Sequence, residues 1–158
     1  MTTLLRPQFS DELDRIASAV TALGWSGTIR GPVYFGGVTF YAVTCPPAHF
    51  GPPGSSWLAG CLVSCTDPRE GMQDASLLAA YSRRAILVRA PLDAIDMVDL
   101  QLHGALLDQG VVVQAGGHST VVSWAGEVVA SLLHHDEAWR HDARWRQFYG
   151  TVTGRSAV

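Results

Sequence analysis

The chain opens with a helical rhythm. Leu13, Ile16, Ala17, Val20 and Leu23 fall at i, i+3, i+4, i+7 and i+10, the spacing of a single apolar face on a helix. Ser10 stands where an N-cap belongs, Asp11 and Glu12 occupy the electropositive first turn, and Gly24 is placed to close the helix. From Trp25 the period shortens. Thr28 to Arg30 and Val33 to Cys45 are rich in β-branched and aromatic residues, with Gly36-Gly37 where a turn or bulge would sit. The segment CPPAHFGPPGSS then places four prolines and two glycines in twelve residues, which predicts an exposed loop. Strand character resumes from Trp57 to Ser64, so the first half predicts a meander of about three strands.

The second half alternates helix and strand. Asp67-Pro68 to Gly71 predicts a turn, and Asp74 stands as the cap of a short helix through Ser82. Ala85 to Arg89 predicts a brief buried strand. Asp93 starts the next helix, whose inward stripe is predicted to be Ile95, Val98, Leu102, Ala105 and Leu106, with Gly110 closing it. Val111 to Ala115 is another strand, so this stretch predicts a βαβ unit with a parallel strand pair. After Gly116-Gly117, Val121 to Leu133 fits a helix with Val121, Trp124, Ala125, Val128 and Leu132 on one face. A strand over Thr120 to Trp124 competes, because Thr-Val-Val is β-branched and Gly126 weakens a helix. Asp136 is placed to cap a last helix in which Ala138, His141, Trp145, Phe148 and Tyr149 share a face, while Arg140, Arg144 and Gln147 line the other. The sum is one globular α+β domain over 1–158. It has a mixed sheet of about five strands, an N-terminal helix, and C-terminal helices packed on one face.

Composition changes this picture in three ways. Hydrophobic residues make up 47% and charged residues only 16%, below the usual ~25%, so apolar surface is expected to remain for a partner or a second copy. The net charge of -3 argues against a dedicated nucleic-acid binder or a polybasic membrane anchor. All eleven basic residues are arginine, and the absence of lysine closes P-loop, Schiff-base and pyridoxal-phosphate chemistry. The start, MTTLLRPQFSDELDR, lacks the apolar core of a signal peptide, and no apolar run reaches the ~18 residues of a membrane span. A cytoplasmic protein, or one incorporated in a virion, is therefore expected. The Arg, Ala, Gly and Val bias fits a GC-rich bacterial or phage genome. Cys45, Cys61 and Cys65 do not read as a secreted disulfide framework; Cys61 and Cys65 would share a strand face as small core residues.

Candidate chemistry concentrates between Gly110 and Gly150, which hold four of the six histidines and three of the five tryptophans. Glu137 and His141, at i and i+4 on the last helix, have spacing that could chelate a divalent metal, with His134 or His118 as a third ligand. The plainer reading puts His141 in an aromatic core stripe and His134 in a turn. Gly117-His118-Ser119 follows a strand as a nucleophile elbow would, but Val121 stands where that motif needs glycine. Gly116 and Gly117 could bind an anion through spare backbone N–H groups. Cys45 and His49 could pair across the proline loop, though nothing orients them. Trp139, Arg140 and Arg144, with His49 and Phe50 of the proline loop, are the expected contact residues for a protein partner. No cofactor is implied. The expected function is a non-catalytic interaction or structural subunit of a larger bacterial or phage assembly. The alternatives are a small enzyme or ligand-binding domain using the Gly116–Ser119 turn and the C-terminal histidines, and a metal-binding regulator.

Overall fold

The computed structural model describes residues 8–45, 50–52, 55, 57–126 and 138–154. Helix α1 (Gln8–Ala22) leads into a hairpin of β1 (Thr28–Phe35) and β2 (Val38–Thr44), and β3 (Leu58–Cys65) follows. Next come α2 (Pro68–Ser76), β4 (Arg84–Val88), α3 (Ala94–Leu107), β5 (Gly110–Ala115) and β6 (His118–Ser123). A 3-10 turn, η1 (Ala138–His141), precedes α4 (Ala143–Thr153).

The strands form one mixed sheet of six, in the order β1-β2-β3-β4-β5-β6, so every strand lies beside its neighbour in the chain. The β1–β2, β2–β3 and β5–β6 pairs are antiparallel; β3–β4 and β4–β5 are parallel. The predicted βαβ unit is β4–α3–β5, and β3–α2–β4 is a second one. Side chains alternate strictly between two cores. Leu62, Ala85, Leu87 and Val112 pack under α1 with Ile16, Ala19, Val20 and Leu23. Cys61, Val63, Ile86, Val88, Val111 and Val113 face the other way, against α2, α3 and α4. Both sheet faces are covered, which is why the parallel strands read as continuous apolar runs.

The chain ends are exchanged across the sheet. The N-terminal α1 packs on β6 and β5, the last strands made, whereas the C-terminal α4 packs on β1, the first. Trp145, Phe148, Tyr149 and Val152 bring α4 into an aromatic cluster with Phe35, Phe40, Trp57 and Tyr81.

Two glycine pairs turn the hairpins. Gly36 and Gly37, at φ 62° and 85°, join β1 to β2; Gly116 and Gly117, at 59° and 82°, join β5 to β6. Both are two-residue turns with positive φ at each position, whose twist matches the strands they connect.

Several boundaries differ from the sequence expectation. Helix α1 begins at Gln8, so Ser10 lies inside it; Gly24, with φ 75°, follows its end. Helix α2 starts at Pro68, because Asp67 accepts the N–H of Arg69 and proline suits a first helical position; Asp74 is within the helix. Helix α3 is capped by Asp93 as expected but ends at Asp108, which takes the left-handed conformation, and Gly110 is already strand. Thr120 to Trp124 follows the strand alternative: Thr-Val-Val lies in β6, not in a helix, and the remainder of the expected helix, 127–133, lies outside the described residues. The cap of the last helix is Asp142, which accepts the N–H of Trp145 at 2.7 Å; Asp136 is outside the described residues.

The largest correction concerns the rotation of α3. The expected inward stripe faces solvent: Ile95 is 79% exposed, Val98 56%, Leu102 58% and Leu106 80%. The buried residues are Leu100 and Gly104. A Cβ at Gly104 would lie 2.6 Å from Ser123 Oγ, so the missing side chain lets α3 seat directly on β6. The Arg84 guanidinium fixes the helix end by donating to the Leu107 carbonyl at 2.6 Å, a cation at the negative pole of the helix. Gln109 donates to Met72 O and Ser76 Oγ, tying the α3–β5 link to α2.

Candidate functional site

Among the described residues, the expected chemical side chains do not assemble at one place. His118 begins β6 and is exposed, at one edge of the sheet. His141 ends η1 and is also exposed, not in the aromatic stripe; η1 runs into α4, which packs on β1 at the opposite edge. His49, His134 and Glu137 lie outside the described residues. Among the described residues no three His, Cys, Asp or Glu side chains come together as a metal site. Ser119 lies in the second strand of a strand–turn–strand hairpin, whereas an elbow requires strand–turn–helix. Its hydroxyl lies 2.7 Å from Ser18 Oγ and accepts from Gln114 Nε2 at 3.0 Å.

The expected contact edge is only partly at the surface. Trp139 is buried against Phe50, and Phe50 in turn meets Tyr149, so both rings belong to the core. Trp145 Nε1 donates to the Gly51 carbonyl, which stitches the described part of the proline loop to α4. Arg140 lies over the Trp139 ring and Arg144 over Phe35, with Arg144 Nε also donating to Tyr81 Oη. The arginines remain exposed. Cys61 and Cys65 share one face of β3, as expected of small core residues; burial pushes each thiol up to about 12, with Asp67 adding to the shift at Cys65.

Two surface features stand out among the described residues. The first is α3. Its inner face carries Met97, Leu100 and Gly104, and its outer face carries Ile95, Leu102 and Leu106 with Val98 beside them. A groove of about 560 Å³ runs alongside, between α2 and α3, with Met72, Leu100 and Leu107 in its lining and Asp67, Asp96 and Asp99 among its polar groups. From Ala90 through Trp139 the chain contains no arginine or lysine, so α3 itself brings only apolar and acidic groups with His103 and Gln101, while Arg69 of α2 adds one cation to the groove.

The second feature is a cavity of about 360 Å³ on the opposite face of the sheet. It is lined by Asp14, Arg15 and Ser18 of α1, by Arg89 directly after β4, and by Gln114 to Gly117 at the end of β5. Arg89 Nη1 holds Glu12 Oε2 at 2.7 Å. Burial raises the phenol pKa of Tyr41, the Glu12 carboxylate adds to the shift, and Arg89 opposes it, so these three groups share one electrostatic neighbourhood. Only Gly116 and Gly117 of this set stood out in the sequence. The others come from three distant segments, and no local spacing connects them.

Comparison with known proteins finds no matching family model, no similar curated protein and no similar solved structure.

Proposed function

We propose that the chain is a non-catalytic interaction subunit that self-associates through the outer face of α3. The observation that supports this reading is a helix apolar on opposite faces, only one of which the fold covers. A contiguous row of large exposed apolar side chains marks a surface that another molecule covers. The partner that fits is a second copy. Ile95, Val98, Leu102 and Leu106 run along one line of the helix, and in an antiparallel pairing Ile95 meets Leu106 of the other copy. Opposed helix dipoles favour that arrangement. A stable interface buries about 800 Å² per partner, and four large apolar side chains more than half exposed along one helix supply much of its core. A lipid surface fits poorly, because Asp93, Asp96, Asp99 and Asp108 would face anionic headgroups and α3 itself carries no arginine or lysine. No described helix is long and apolar enough to cross a membrane.

Native mass spectrometry tests the reading. The wild-type chain is expected as a multiple of 17.0 kDa, and the double variant Leu102→Asp, Leu106→Asp as a folded monomer. Because carboxylates flank the stripe in both copies, added salt should tighten the association. A wild-type monomer at concentrations on the order of 100 μM would end the proposal.

A further inference from the structure

We infer that the cavity at the carboxyl ends of β4 and β5 is a binding site for a small oxyanion, a carboxylate or phosphate group carried by a small molecule. It is separate from the α3 face, which lies across the sheet.

Position supports this first. β3, β4 and β5 run parallel and the cavity lies at the carboxyl ends of β4 and β5, the end at which open α/β sheets bind ligands. The strand order does not reverse here, so α1 and the β5–β6 turn supply the walls of the crevice. Arg89 is the residue immediately after β4, and Ala115 is the last of β5. Both line the cavity, and α1 forms its third wall.

Donor chemistry supports it second. Gly116 and Gly117 occupy the two central positions of a tight turn closed by the Ala115–His118 pair, and neither glycine N–H donates to another backbone group among the described residues. Neither glycine has an atom within 4 Å of the place a Cβ would take, so their backbone is open to approach. Arg89 uses Nη1 on Glu12, while its Nε is buried with no hydrogen-bond partner among the described residues. Arg15 adds a second guanidinium. Planar guanidinium forks with backbone N–H groups beside them form an oxyanion cradle.

Preorganisation is the third support. Gln114 Nε2 donates to both the Arg15 carbonyl and Ser119 Oγ, and Ser119 Oγ meets Ser18 Oγ, so α1 and the turn are held at a fixed distance. The cavity is thus built before any ligand arrives. Asp14 on the same wall disfavours a bare polyanion.

The test is amide-resolved NMR titration of the full chain with inorganic phosphate and, separately, with succinate, each against chloride at equal ionic strength. Saturable shifts of the Gly116 and Gly117 amides are expected with one or both. Saturation by phosphate alone identifies a phosphorylated ligand class, and saturation by succinate alone a carboxylate class. Arg89→Gln should weaken the response about tenfold or more, whereas Arg89→Lys should retain part of it. Gly117→Asp leaves the Arg89–Glu12 pair intact and sets a carboxylate at the cavity, and it should weaken binding about as strongly. Shifts no different from chloride, or unchanged in a folded Gly117→Asp protein, would overturn the inference.

Discussion

Cys61 shows how a single residue can be read from both directions. It is fully buried in β3, and burial pushes its thiol from 9.0 to about 12, with a hydrogen bond from Ser82 opposing the shift. The folded state therefore holds this proton more tightly than the unfolded chain does. The associated stability is complete below pH 9 and declines as pH rises toward 12, at up to about 1.4 kcal/mol per pH unit. Urea unfolding at stepped alkaline pH should show that slope together with a like contribution from Cys65, whose thiol is pushed up equally, and Cys61→Ala should lessen the total without abolishing it. An equal slope in both proteins would show that the thiol is not the titrating group. Residue type and strand period were enough to place Cys61 in the core. They were not enough for Trp139, whose burial depends on Phe50, 89 positions earlier in the numbering.

At the scale of elements, the sequence announced most helices and strands but not how α3 is rotated. Its pattern has two apolar faces, Ile95–Leu102–Leu106 and Met97–Leu100, and periodicity alone favours the bulkier one as the core face. What decides the matter is Gly104. The smaller face allows the closest approach to Ser123, and that requirement is visible only once β6 is beside it. Gly104→Ala should accordingly destabilise the fold by about 1–3 kcal/mol, despite alanine's better helix propensity. Ser123→Gly in the same background should recover part of the loss. The measurement is the shift in urea midpoint, and a stabilised Gly104→Ala protein would contradict the packing argument. The β6 boundary has a similar origin: Thr120 to Ser123 fits either structure locally, and its ladder with β5 settles the choice.

For the whole molecule, the α+β class and the βαβ unit were legible because long periodic segments and short turns leave few topologies open. The cavity at Arg89 was not, since residues 14–18, 89 and 114–117 meet only through the fold. The exchange of chain ends was equally hidden. Its consequence for stability can be measured: deleting residues 143–158 should raise amide exchange chiefly in β1 and β2, whereas loss of α1 packing through Ile16→Ala should act chiefly on β5 and β6. Uniform loss of protection from either change would mean that the sheet responds as a single block.

The same exchange bears on how the protein is born. A sheet whose spatial order repeats its chain order can grow one strand at a time as the polypeptide leaves the ribosome, each newcomer adding to the edge just made. Helix α1 emerges first, yet its seat on β5 and β6 is completed near the end. Until then its apolar stripe has only part of its seat, on Leu62 of β3 and on Ala85 and Leu87 of β4, and the rest must be kept from other chains. The final helix then closes over β1, the oldest edge. Maturation would thus finish at both sheet edges almost together, and premature release would leave a half-built sheet with two sticky margins.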